Sequence, residues 1–276
     1  RRRATDQCGN TNTSNTIQVN VIADPIVTIT GAADVCVGGS VTLTANITGG
    51  SGTPVYTWRR NGSVVGGNTS TYATDNLLGA GSYSYTVEIT QDAGCSATSA
   101  AVNADVVADP TITITGAANV CVGGSVTLTA NVSGGLGTVS TYQWRRNGVN
   151  VGTNSATYTT DNTLAANTYS YDVIVTQTGS GCSNTATAVN ANVVADPTIT
   201  ITGAANVCVG GSVTLTANVS GGVGTISTYQ WRRNGVNVGT NSATYTTDNT
   251  LAANTYSYDV IVTQTGSGCS ATSAAV

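Results

Sequence analysis

The sequence contains no lysine, histidine, methionine or phenylalanine, and charged residues make up only 8% of it. All nine cations are arginines. Six form the pairs Arg59–Arg60, Arg145–Arg146 and Arg232–Arg233, and three sit at the extreme N-terminus. With a net charge of −4, no basic stripe exists to hold phosphates, which argues against nucleic acid as a partner. Without histidine there is no Ser–His or Cys–His pair to activate a nucleophile. Thirteen acids give paired-carboxylate hydrolysis little to work with. No C-x-x-C pair occurs, so the cysteines do not read as zinc ligands. The apolar stretches are short and broken by threonine, so none spans a membrane. No secretory leader is visible, as a window cut from a longer chain would show none. These absences predict no catalytic residue, no cofactor and no metal site.

What the sequence does have is repetition. Trp58, Trp144 and Trp231 lie 86 and 87 residues apart, and Pro25, Pro110 and Pro197 lie 85 and 87 apart. Between Asp109–Val189 and Asp196–Val276 only Leu136/Val223, Val139/Ile226, Asn184/Ala271, Ala186/Ser273 and Thr187/Ala274 differ. The boundaries fall near Asp24, Asp109 and Asp196. The expected organisation is therefore a closing strand of a preceding repeat at 1–24, then repeats at 25–109, 110–196 and 197–276. The last is cut inside its final strand. Each unit is long enough to fold as a small domain.

Repeat 2 shows the pattern within a unit. Thr111–Thr115 alternates isoleucine with threonine, as a half-buried strand does. Ser125–Ser133 places Val126, Leu128, Ala130 and Val132 on one face. Thr141–Arg146 carries Trp144, and Asn147-Gly148 then marks a hairpin, since both central residues take φ > 0. Val149–Val151 and Ser155–Thr160 follow. Tyr169–Gln177 points Tyr169, Tyr171, Val173 and Val175 inward, and Ser183–Val194 closes the unit. About seven short strands without a helix predict an all-β chain of tandem Ig-like Greek-key β-sandwich domains in an end-to-end rod. The expected core is Trp58, Trp144 and Trp231 with Tyr83, Tyr169 and Tyr256. Tyr169 also stands where a tyrosine corner belongs.

The stretches "VCVGGSVTLTA", "YQWRRNG" and "GSGC" resemble the Ig-like and PKD-like repeats of giant secreted Bacteroidota surface proteins, of the gliding or adhesin type exported by the type IX route. The resemblance spans all three repeats. It implies an extracellular or cell-surface location and a structural role: a filament or adhesin stalk for attachment, gliding or capture of prey or surfaces. The alternatives are a non-catalytic spacer in a secreted polysaccharide-degrading enzyme, or an array of glycan- or protein-binding modules. The implied partners are flanking repeats of the same longer chain, and identical chains in a multi-stranded fibre.

Seven cysteines recur at equivalent places: Cys8, then Cys36 and Cys95, Cys121 and Cys182, Cys208 and Cys269. Regular pairs in small β domains point to disulfides and an oxidising exterior. Cys121 precedes one long strand and Cys182 follows another that runs the same way. The two ends are then roughly 25–30 Å apart, while a disulfide needs Cα atoms within about 7 Å. Stacked repeats would instead pair Cys36 with Cys182 and Cys121 with Cys269, leaving Cys8, Cys95 and Cys208 for cysteines elsewhere. The intradomain alternative pairs Cys36–Cys95, Cys121–Cys182 and Cys208–Cys269, with Cys8 orphaned.

Four further expectations concern the surface. Ile174 and Ile261 point outward as candidate lateral contacts, and the arginine pairs as solvated edges or contacts to Asp on a neighbouring chain. The Asp109-Pro110 and Asp161-Asn162 dipeptides read as turn caps rather than calcium ligands. The glycine-rich loops Ser133–Thr138 and Ser220–Thr225 read as flexible turns.

Overall fold

The computed structural model describes residues 2–276. The described residues form short β-strands, with one 3₁₀ turn among them at Asp92–Gly94. It divides into two compact units, Arg1–Val107 and Ala108–Val276. The second unit holds repeats 2 and 3 together.

In repeat 2, Thr111–Thr115, Thr127–Ser133 and Thr157–Thr159 form one antiparallel sheet. The facing sheet runs from Val120–Cys121 through the closing strand Val189–Val194 and the long strand Asn167–Gln177 to Val139–Arg146 and Val149–Val151. Ser183–Thr185 pairs with the far half of the long strand. Repeats 1 and 3 show the same two-sheet plan. The molecule is a tandem array of Ig-like β-sandwiches.

Period-two patterning explains the packing. Leu128 and Ala130 from one sheet meet Trp144, Tyr171, Val173 and Val175 from the other. Trp144 is fully buried, and its indole N–H donates to the Ser155 carbonyl at 2.9 Å. Trp58 and Trp231 make the same bond, to Thr69 and Ser242. Each indole stacks on a tyrosine ring, Tyr72, Tyr158 or Tyr245. Truncating such a buried indole costs about 3–5 kcal/mol. Asn147 at φ 49° and Gly148 at φ 79° make the expected hairpin turn.

Tyr83, Tyr169 and Tyr256 are half-buried at the edge of the core rather than inside it. Each hydroxyl donates to a carbonyl four residues back, on Gly79, Ala165 and Ala252. The aromatics that fill the core are their i+2 neighbours Tyr85, Tyr171 and Tyr258. Both tyrosines of each pair share a strand face, but the first sits where the sandwich opens.

Two further expectations are corrected. The closing segment Ser183–Val194 is broken, because Ala186 folds in and donates its N–H to the Val173 carbonyl at 2.9 Å. The loop Ser133–Thr138 is clamped rather than flexible. The Gln177 side chain accepts from Leu136 N–H and donates to the Gly134 carbonyl, and Gly179 N–H donates to the Leu136 carbonyl.

Candidate functional site: the joint between repeats 2 and 3

The closing strand Val189–Val194 is separated from the first strand of the next repeat, Thr198–Thr202, by only Ala195, Asp196 and Pro197. So short a connection holds the turn of repeat 3 near Ser267 against repeat 2. Val120 and Cys121 lie parallel to the closing strand, opposite Val193 and Val194. Val122 N–H donates to the Val194 carbonyl at 3.0 Å. This two-residue strand places Cys121 on the sheet that faces the joint, and not in a free turn.

Cys121 is bonded to Cys269, with Cα atoms 4.9 Å apart across a sequence separation of 148. Both residues are buried. Around the sulfurs, Cys121 N–H donates to the Ser267 carbonyl at 2.9 Å, and Ser125 N–H to the Ser267 hydroxyl at 3.2 Å. Gly124 packs so closely that a Cβ there would strike the Ser267 carbonyl. Gly268, at φ 77°, lies against Gly123 and Gly124. The joint is therefore a tongue of repeat 3, Ser267–Cys269, bonded covalently and by two hydrogen bonds to repeat 2.

The intradomain disulfide scheme does not form. Cys121 takes Cys269, which removes both Cys121–Cys182 and Cys208–Cys269. Cys95 is a free thiol, which removes Cys36–Cys95, and Cys36 and Cys182 are each in the disulfide-bonded state. The reason is geometric: within one sandwich the two cysteines stand at opposite poles. Cys8, Cys95 and Cys208 are free, and Cys8 and Cys208 are exposed. Cys8 lies in a hairpin of Arg3–Thr5 and Thr11–Thr13 whose turn is held by the Asp6 carboxylate. The Asn10 N–H holds that carboxyl below its ordinary pKa.

The arginine pairs are engaged within their own repeats. Arg145 meets Asp172 through two bonds of 2.7 and 2.8 Å, and that hydrogen bonding raises the guanidinium pKa. Arg146 reaches Asp161 at 2.6 Å and lies over the Tyr169 ring. Arg232–Asp259 and Arg233–Asp248 repeat the arrangement, while in repeat 1 Arg59 takes Glu88 and Arg60 takes Asp75. Burial pushes the Tyr171 hydroxyl above the usual tyrosine pKa. Ile174 and Ile261 are half-buried, set between Gln143 and Thr185 in one repeat and Gln230 and Thr272 in the other.

Among the described residues, no group of three or more His, Cys, Asp or Glu is placed to hold a metal ion. No helix among the described residues is long and apolar enough to cross a membrane.

Residues 110–173 match the family model described as the bacterial Ig domain. No curated protein sequence matches the chain. Among solved structures, the three N-terminal domains of the bacteriophage RB49 Highly Immunogenic Outer Capsid protein are similar at 18% identity and TM-score 0.49. That match covers 91% of this chain and 96% of the other. Sidekick-1 immunoglobulin domains 1–5 are similar at 15% identity and TM-score 0.37, over 98% of this chain and 64% of theirs. The chain is similar to the bacterial Ig domain over residues 110–173, and its own architecture is a tandem array of Ig-like sandwiches.

Proposed function

We propose that the chain is a load-bearing segment of an extracellular or cell-surface stalk, in a filament or adhesin that attaches, glides or captures. The observation that carries this reading is the Cys121–Cys269 bond, which links two consecutive repeats instead of stapling one. A staple inside a domain protects that domain alone. A bond from one repeat to the next offers tension a covalent route that bypasses most of both sandwiches. Disulfides of this kind also fit an oxidising exterior. The conserved plan of each unit supports the same role, since a repeat needs only to fold and to stack on its neighbour. The ion pairs of the arginines leave the repeat faces polar but internally satisfied, which suits a spacer better than a ligand platform.

Single-molecule stretching tests the reading. With the bond intact, the 148-residue span between Cys121 and Cys269 stays off the force path. Reduction, which opens every disulfide of the chain, should lengthen the fully unfolded chain by hundreds of ångströms, at about 3.3–3.6 Å per residue. Equal contour lengths with and without reductant would remove the load-bearing role.

A further inference from the structure

The sequence contains three Asn-Gly dipeptides, Asn61-Gly62, Asn147-Gly148 and Asn234-Gly235, one in each repeat. All are exposed, and each forms the tip of the hairpin that follows the tryptophan strand. This dipeptide is chemically reactive as well as turn-forming. The glycine nitrogen carries no neighbouring side chain to hinder it, so it can attack the side-chain carbonyl carbon of the asparagine before it. Around Gly62, Gly148 and Gly235 the space where a Cβ would stand is empty.

In the folded protein that attack is held off. Asn147 N–H donates to the Ser170 carbonyl at 2.8 Å, and Ser170 N–H donates back to Asn147 Oδ1 at 2.9 Å. The side-chain oxygen thus supplies the acceptor that carries the pairing of Val139–Arg146 with Asn167–Gln177 one residue into the turn. The same two bonds, at the same 2.8 and 2.9 Å, join Asn61 to Ser84 and Asn234 to Ser257. Ring closure requires Cγ to turn onto the nitrogen of the next residue. The amide cannot do so while its oxygen holds a serine on the neighbouring strand.

We propose that Asn61, Asn147 and Asn234 are self-modification sites, kept as amides by their serine partners while a repeat is folded and converted to isoaspartate when it is held unfolded. The reaction needs only the chain and water. The Gly148 nitrogen forms a bond to Asn147 Cγ, the bond from Cγ to the amide nitrogen breaks, and that nitrogen leaves as ammonia with the Gly148 proton. The cyclic imide so formed takes up one water and opens at either carbonyl, to aspartate or to isoaspartate.

The two products differ in what they do to the fold. Aspartate keeps an oxygen that accepts from Ser170 N–H. Isoaspartate routes the main chain through Cβ and Cγ, which adds an atom to a two-residue turn. Turn geometry sets hairpin register, so the pairs Arg146–Val149, Arg145–Asn150 and Trp144–Val151 lose their frame. Val149–Val151 is the edge strand of its sheet, with no second neighbour to hold it. Unfolding of a repeat opens the clamp, and conversion to isoaspartate then leaves a permanent mark of that event at one place in the unit.

The test is incubation of the 276-residue chain at mildly alkaline pH, folded and in guanidinium, followed by digestion at acidic pH and peptide mapping by mass spectrometry. Labelling with an isoaspartyl methyltransferase separates isoaspartate from aspartate. Conversion of Asn147 is expected at least tenfold faster in guanidinium than in the folded chain, while Asn150, which precedes a valine, stays unchanged in both. G148A should slow the reaction in guanidinium at least tenfold. After the guanidinium is removed, N147D should regain the hydrogen-exchange protection of unmodified Val149–Val151, and the isoaspartate form should not. Equal rates in the folded and unfolded chain, an unfolded chain that does not convert, or an isoaspartate form that regains that protection overturns the proposal. Denaturant rather than force opens the turns here, so the load-bearing role and the self-modification can each fail without the other.

Discussion

Asn119–Ser125 and Asn206–Ser212 are the same seven residues in two repeats that are otherwise nearly identical. In repeat 2 they make a buried parallel strand ending in a disulfide; in repeat 3 they make no strand, and the cysteine is an exposed thiol. Local sequence therefore does not decide the structure of this segment. Two things in repeat 2 do: the stretch Asn190–Val194, which covers its edge, and the tongue Ser267–Cys269, which covers its sulfur. The edge of the repeat 2 sandwich is finished by chain that comes after its long strand. The lesson is that the unit of stability is the joint as much as the domain.

The largest test of that contrast is removal of the bond. C121S/C269S deletes a cross-link closing a 148-residue loop, which the chain-entropy argument values at about 4–5 kcal/mol. Guanidinium denaturation followed by tryptophan fluorescence should show the loss, and hydrogen exchange at Val120–Val122 should approach that at Val207–Val209. An unaltered midpoint would mean that packing alone holds the joint.

A second test places the same substitution at both copies. Val120→Glu puts a carboxylate into a buried strand and should cost about 2–4 kcal/mol. Val207→Glu changes an exposed side chain and should stay within about 0.5 kcal/mol. Equal losses, read from paired denaturation curves, would erase the distinction between the two segments.

Much of this architecture was legible in the sequence, because the signals were periodic. The 86- and 87-residue tryptophan spacing gave the repeats, alternation gave Thr111–Thr115 and the long strand, and Asn147-Gly148 gave the hairpin. Pole-to-pole geometry favoured Cys121–Cys269 over Cys121–Cys182. What was illegible depends on partners distant along the chain. Val120–Cys121 is too short to show a period, and its pairing strand begins almost seventy residues later. Asp172 and Asp161 lie 27 and 15 residues from the arginines they meet. Tyr169 and Tyr171 share a face, so alternation alone cannot say which one the sandwich encloses. The clamp on Ser133–Thr138 comes from Gln177, some forty residues on. Its glycines read as slack because the residue that tightens them is on another strand.

Gly124→Ala and Gly211→Ala probe the tongue itself. A methyl on Gly124 meets the Ser267 carbonyl, a backbone atom held on both sides, so the tongue must shift. The overpacking cost is about 1–3 kcal/mol. A methyl on Gly211 comes no nearer than 3.1 Å to the Cys208 carbonyl of its own turn, in a segment that can adjust. G124A should therefore also slow reoxidation of Cys121 with Cys269 after reduction, followed by thiol labelling, while G211A should not.

The smallest effect is a control that ought to show no difference. Tyr169 donates to the Ala165 carbonyl at 3.1 Å, and Tyr256 to the Ala252 carbonyl at 3.2 Å. The two bonds are alike although Tyr169 lies opposite Ala191 of the closing strand and Tyr256 pairs with no strand among the described residues. The corner is thus made by the turn entering the long strand and not by the strand that covers it. Tyr169→Phe and Tyr256→Phe should each cost about 1 kcal/mol, the worth of one such bond, and equally so in paired denaturation curves. If Y169F cost clearly more, the covering strand would be stabilising the corner as well. The influence of the joint would then extend beyond the edge strand and the tongue into the sandwich of repeat 2 itself.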